Sequence, residues 1–209
     1  MADIKPLLPE SPPSEDKRRQ ILTGASRIFM AKGYEGASMS DIAQEAGVSK
    51  GTLYVYFTNK EALFGAAVQQ YSRDHAAHIF DSLSPGIALD EALRECGGRY
   101  MELVLTPDVQ AVYRVVIAES HKFPELGRAF FEAAPARNTA RLGQFLRART
   151  EAGELNLDDA DLAASQFFEL CKSWILVRCQ LQVVGTPDPT RVAQIVDQAV
   201  KVFLKAYAA

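Results

Sequence analysis

The sequence predicts an all-α protein, with two very short helices near its start and longer helices after them. Three observations carry this. Apolar residues recur at three- and four-residue spacing in segment after segment, with no sustained period-two alternation. Helix-start signals repeat along the chain, as at Ser14, Ser38, Ser49, Thr106 and Asp188. The intervening breaks are built on Gly and Pro, and no Asn-Gly hairpin occurs.

Pro6, Pro9, Pro12 and Pro13 make residues 1–13 a poor helix or strand, so a mobile tail is expected there. Ser14 then caps a helix whose first turn holds Glu15 and Asp16, where the helix dipole favours acids. Ile21, Leu22, Ala25, Ile28 and Phe29 form its apolar face, and Gly33 ends it. Ser38 and Asp41 have the form of a capping box opening a very short helix through Ala46, stopped by Gly47. Ser49 caps a second short helix, from Lys50 to about Phe57. Thr58-Asn-Lys-Glu61 is read as a further capping box, starting a long run to about Leu83. Ser84-Pro-Gly breaks that run. Further helices are expected over about 88–105, 106–120, 123–151 with Pro135 as a kink or break, 158–184 capped by Asp158, and 188–207. The expected division is a tail over 1–13, a unit with the two very short helices over 14–60, and a helical body over 61–209.

Composition narrows the class. The 209 residues are 48% hydrophobic and 23% charged, which excludes wholesale disorder and fibrous repeats. The longest apolar runs are about five residues, as in Leu53–Phe57, whereas a membrane helix needs about 20. The first twenty residues lack the apolar core of a secretory signal. Cys96, Cys171 and Cys179 are three in number and not closely spaced, which argues for a reducing cytoplasm rather than a disulfide framework. Net charge is −3, yet residues 17–60 carry seven Lys or Arg against three acids. A basic segment on an acidic body suggests a local anion-binding surface.

Two very short helices joined by a glycine turn are marginal alone and must pack as a pair. Ile42, Ala43, Ala46, Val48, Leu53 and Phe57 supply the shared apolar side, Ala43 is small enough for close approach, and Gly47 permits the turn. That is the pattern of a helix-turn-helix, although an ordinary αα-corner shares it. The exposed face of the second helix favours the former. Ser49, Lys50, Gly51, Thr52, Tyr54 and Tyr56 offer hydroxyl, ammonium and backbone donors and little else, as a helix entering the major groove requires. Ser38 and Lys60, at neighbouring helix starts, are further candidates for phosphate contacts.

The stretch ILTGASRIFMAKGYEGASMSDIAQEAGVSKGTLYVYFTNKEALF resembles the DNA-binding domain of the TetR family of bacterial transcriptional regulators. The resemblance covers about residues 17–64. It rests on Phe29…Gly33-Tyr34, Asp41-Ile42-Ala43, Ala46-Gly47-Val48-Ser49, Gly51-Thr52-Leu53-Tyr54-x-Tyr56-Phe57 and Lys60-Glu61-x-Leu63, in order. In the body, HKFPELGRAFFEAAPAR is similar to members of the AcrR-like group. The resemblance implies a three-helix DNA-binding head with a helix-turn-helix over 14–60, a larger helical ligand-binding and dimerisation body over 61–209 that takes a small-molecule effector, and a homodimer that binds an operator in double-stranded DNA.

The body residues support that reading only in outline. Tyr100, Met101, Tyr113, His121, Phe130, Phe131, Phe167, Phe168, Trp174 and Arg178 crowd it, and most helical aromatics are core. An effector cavity is expected on Phe167, Cys171 and Trp174, taken to share a helix face, with Tyr113 or His121 as the polar handle. The apolar surplus of the last two helices suggests a two-fold interface with a second copy. The two expectations compete for one face.

Other chemistry is poorly supported. His75 and His78 have i, i+3 spacing but no third ligand nearby, and no metal or cofactor is expected. Ser14-x-x-Lys17 lacks its partner motifs, and there is no GxSxG, P-loop or GxGxxG, so an enzyme is not expected. The expected function is that of a cytoplasmic repressor released from a palindromic operator by an apolar or aromatic ligand, with coupling through the long helix after Thr58. The alternative is a DNA-binding adaptor whose body only dimerises or recruits protein. A body cavity of a few hundred Å3 separates the two.

Overall fold

The computed structural model describes residues 14–84, 86–185 and 187–209, apart from the side chains at 72 and 75–77. The tail expected over 1–13 lies outside the described residues, as does the side chain of His75. Ten α-helices are formed among the described residues: α1 (Glu15–Gly36), α2 (Met39–Glu45), α3 (Lys50–Tyr56), α4 (Lys60–Ala76), α5 (Leu89–Val104), α6 (Pro107–Glu119), α7 (Pro124–Ala133), α8 (Pro135–Glu151), α9 (Ala160–Gln180) and α10 (Pro189–Tyr207). A 3-10 turn, Ala77–Phe80, follows α4. Extended pairing among the described residues is confined to one isolated bridge, Leu155 to Ala208.

Caps set most helix starts. The Ser14 hydroxyl accepts from the Lys17 amide at 3.2 Å. Ser38 and Asp41 form a reciprocal capping box. Thr106 and Asp188 cap α6 and α10, each followed by Pro at the first helical position. Two expected caps move by one residue. Asn59, not Thr58, caps α4, its Oδ1 accepting from the Ala62 amide at 2.7 Å. Asp159, not Asp158, caps α9 by accepting from the amides of Asp161 and Leu162. The run over 123–151 divides at Ala134 into α7 and α8, because Pro135 cannot donate to the preceding turn.

Two kinks interrupt long helices. Gly33 takes φ 71°, and α1 resumes for one more turn to Gly36. In α9, Ser173 takes φ 41° and ψ −139°, in the left-handed half of the map that a side chain resists. No proline or glycine adjoins it.

Two hydrophobic cores result. The head core gathers Ile21, Leu22, Phe29 and Tyr34 from α1, Ile42 and Ala43 from α2, Leu53 from α3 and Leu63 and Phe64 from α4. It does not stop at the head. Val116 of α6 and Leu126 and Phe130 of α7 belong to the same cluster. The body core joins α5, α8, α9 and α10 around Leu93, Met101, Leu142, Phe167, Cys171, Val200 and Phe203. Buried Arg149 of α8 is fully engaged beside it. It pairs with Glu154 at 2.8 Å, donates to the Ser84 and Ile87 carbonyls and lies over the Phe145 ring.

Candidate nucleic-acid interface and effector cavity

The helix-turn-helix is built from α2 and α3. Gly47 carries the turn at φ 63°, and its amide bonds back to the Gln44 carbonyl at 3.0 Å while that of Val48 bonds to the Ala43 carbonyl at 2.9 Å. Gln20 of α1 donates to the Ala46 carbonyl at 2.6 Å, fixing the end of α2 against the long helix. The Lys32–Asp41 ion pair, at 3.1 Å, ties α1 to the capping box. The Ser38 hydroxyl and Lys32 ammonium hold the Asp41 carboxyl below the usual carboxylate range.

On α3 the inner anchor is Leu53, fully buried. At about 100° per residue, Gly51 and Val55 lie about 160° from it on either side, forming the outermost ridge of the helix. Both are exposed, Val55 by 49%. Thr52 and Tyr54 flank this ridge. The Ser49 and Thr52 hydroxyls pair with each other at 2.8 Å, and Ser49 also caps the helix by accepting from the Thr52 amide. Lys50 is exposed and makes no ion pair among the described residues. Tyr56 is half-buried, and its hydroxyl accepts from the Ser14 amide at 2.8 Å, joining the start of α1 to the end of α3. Ser38 is exposed at the start of α2. Of the residues expected to meet DNA, Ser38, Ser49, Lys50, Gly51 and Tyr54 are exposed and Thr52 is half-buried. Val55, absent from the residues expected from sequence, is exposed on the outer ridge of α3. Its angle from Leu53 is the signal that locates it.

Lys60 departs from its expected place at a phosphate. Its ammonium donates to the Tyr34 carbonyl at 2.8 Å and the Ala37 carbonyl at 3.0 Å, and lies 4.4 Å from the centre of the Tyr34 ring. The cause is the end of α1, where the last carbonyls have no helical partner and a lysine from the next long helix reaches them. Tyr34 also meets Phe123 of the α6–α7 turn edge-on at 5.3 Å, and Lys122 pairs with Glu35. The end of α1 is therefore gripped by α4 and by the turn that joins α6 to α7.

The residues expected to form an effector cavity are not brought together. Phe167 and Cys171 are fully buried in the body core, with Phe167 packed on Phe203 at 5.4 Å. Burial pushes the Cys171 thiol well up and that of Cys96 to about 12. Trp174 is 77% exposed. The seven-residue spacing fails as a guide because the Ser173 kink reorients the helix between residues 167 and 174. His121 is exposed in the α6–α7 turn. Only Tyr113 lines a body cavity described here.

That cavity lies elsewhere. An inner chamber of about 70 Å3 lies among α4, α5, α6, α7 and the start of α8, and is lined by Val68, Tyr100, Val112, Tyr113, Phe130 and Asn138 among others. An adjoining chamber of about 390 Å3 opens between α8 and α9, shares Tyr100, Tyr113, Pro135 and Asn138, and adds Phe131, Phe168 and the Glu169–Lys172 ion pair. Burial raises the Tyr100 and Tyr113 hydroxyls above their ordinary range, so both stay protonated. Asn138 was not singled out from the sequence. A lone amide between Arg137 and Thr139 carries no pattern that marks it.

Among the described residues there is no group of three potential metal ligands, and no helix is long and apolar enough to cross a membrane. Comparison with known proteins gives two family matches. Residues 21–67 match the model described as bacterial regulatory proteins, tetR family, and residues 91–209 match the AefR-like transcriptional repressor C-terminal domain. A TetR-family transcriptional regulator of known structure from Mesorhizobium loti is 29% identical, with a TM-score of 0.83 over 95% of this chain and 100% of that one. The structure of a flavonoid-responsive regulator, FrrA, is 33% identical, with a TM-score of 0.80 over 93% of this chain and 98% of that one. A helix-turn-helix repressor of Mycobacterium tuberculosis is 27% identical over 184 residues, covering 87% of this chain and 89% of its own.

Proposed function

The chain belongs to the TetR family of bacterial transcriptional regulators, and from that premise we propose that it is a dimeric repressor released from its operator by a small aromatic effector bound in the body. It is a helix-turn-helix regulator and not an enzyme, as its relatives are. The finer reading rests chiefly on one observation. The inner chamber and the head core share a wall, since Val112, Tyr113 and Phe130 face the chamber and also pack in or against the head cluster.

The proposed mechanism is a population shift. A ligand that fills the chambers favours one placement of α6 and α7. Those helices hold Leu126 and Phe130 under the head, and their turn holds Tyr34 and Glu35 through Phe123 and Lys122. DNA favours the other placement, and each ligand weakens the other by its differential affinity for the two states. Coupling thus runs through the α6–α7 turn as well as through α4. The outer chamber's volume, about 390 Å3, lies within the range of small-molecule sites and favours this reading over a ligand-free adaptor. The flavonoid-responsive relative supports an aromatic effector.

Dimerisation is read from α9. Beyond the Ser173 kink, Trp174, Val177 and Leu181 are exposed at helical spacing, and Leu170 before it is exposed as well. They suit a self-complementary contact with a second copy, which would set two α3 helices against the two halves of a palindrome in the cytoplasm. Enrichment of random DNA on the purified protein is expected to return an inverted repeat. A panel of neutral aromatic compounds is then expected to include some that weaken binding to it. Recovery of no preferred sequence sinks the DNA reading. A preferred sequence that no compound loosens favours the adaptor.

A further inference from the structure

We propose that the two body chambers take an uncharged aromatic phenol bearing a carbonyl, anchored on the side-chain amide of Asn138. This deepens the effector reading and rests on it only for its regulatory consequence.

Asn138 is 93% buried on α8 and lines both chambers. Among the described residues its side-chain amide has no hydrogen-bond partner, and neither do the hydroxyls of Tyr100 and Tyr113, which line the same two chambers. No group among the described residues pairs with these three, and each reaches the space of the chambers, where solvent or a ligand can bond to it. Three polar groups open to one space describe the partner that would complete them. An amide offers a donor and an acceptor side by side, and a tyrosine hydroxyl offers one of each. A ligand that carries a carbonyl and, apart from it, a phenol hydroxyl presents a matching acceptor and donor.

The walls set the rest. Tyr100 and Phe168 are stacked at a tilt, 4.2 Å apart, and Tyr113 meets Phe130 edge-on at 4.8 Å, so the space is bordered by ring faces and edges that suit an aromatic ring. No charged side chain lines the inner chamber. The charges on the outer rim are already satisfied within the protein, Lys172 by Glu169 and Asp161 by Arg147 at 3.2 Å. A carboxylate or ammonium ligand would find no free counter-charge and would lose its hydration without recompense in an apolar site. The ring system rests in the outer chamber, and one substituent reaches the small inner one.

The test uses the full chain with naringenin, a neutral flavanone with free phenol hydroxyls apart from its carbonyl, and naringenin's fully O-methylated ether. Binding is followed by calorimetry. The wild type is expected to prefer naringenin about tenfold or more over the ether. Asn138→Leu is expected to lose that preference while melting no lower than the wild type, because no protein hydrogen bond is removed. Asn138→Leu that binds naringenin as the wild type does overturns the anchor, as does a wild type that binds neither compound or both alike. Such a result would leave Asn138 an amide satisfied by water alone. Should Asn138→Leu fail to fold, Tyr113→Phe removes a single oxygen from the same space and is held to the same preference. Release from the operator is read separately. Naringenin that binds through Asn138 without loosening DNA leaves the site standing and overturns its regulatory role.

Discussion

At Val55 a branched apolar side chain stands half exposed on a helix face otherwise made of hydroxyl, ammonium and backbone groups. In the major groove the thymine methyl is the group that matches it. Replacing thymine by deoxyuridine, one position at a time, in the selected operator is expected to weaken the wild type at one step per half-site by about 1 kcal/mol, or about fivefold. Val55→Ala should be indifferent to the same change, and an equal loss in both proteins would remove Val55 from base reading. Lys60 invites the opposite kind of test. Lys60→Met keeps the stem and leaves the Tyr34 and Ala37 carbonyls without their donor, with an expected loss of about 1–2 kcal/mol. The loss should appear in thermal melts without DNA. An unchanged melt with a flatter salt dependence of DNA binding would return the ammonium to a phosphate. The hydroxyl-rich face of α3 was legible in the sequence because it follows from one helix and its periodicity. The place of the Lys60 ammonium was not, since it depends on carbonyls 26 and 23 residues earlier in the chain.

Among the elements, α9 departs most from what its sequence suggests. Ser173 holds φ 41° in mid-helix. Glycine in a regular helix interior costs about 1 kcal/mol relative to alanine. At this position the sign should reverse, and Ser173→Gly is expected to raise stability by about 0.5–1 kcal/mol in a denaturant titration, by relief of the left-handed strain. A loss instead would mean that the helix runs regularly through this residue in solution. The kink also explains where sequence reading ended. Caps at Ser14, Ser38, Thr106 and Asp188, and the break at Pro135, are local chemistry and could be read directly. The bend at Ser173 has no proline or glycine to announce it, so the pairing of Phe167 with Trp174 by seven-residue spacing placed one core residue and one surface residue in a single cavity.

For the whole molecule, the change between very short and long helices suggests a head and a body. The bridging of the head core by α6 and α7 was not legible, because the Tyr34–Phe123 contact and the core shared by Phe64 and Leu126 join segments far apart in sequence. The exposed stripe on α9 sets the expected assembly. Trp174→Glu together with Leu181→Glu should turn a dimer into a monomer at micromolar concentration, seen by sedimentation. It should also weaken operator binding about a hundredfold or more, since each head then binds alone. A double variant that sediments as a dimer would place the interface elsewhere.

The wall shared by the chamber and the head core also constrains how such a protein can change over generations. Phe130 is at once a chamber lining and a prop under the head. A lineage that trims it to admit a bulkier inducer loosens the packing beside Leu126 and Tyr113 in the same step. A new inducer range and a leakier promoter thus arise as one heritable event, and compensating substitutions are expected in the head rather than around the chamber.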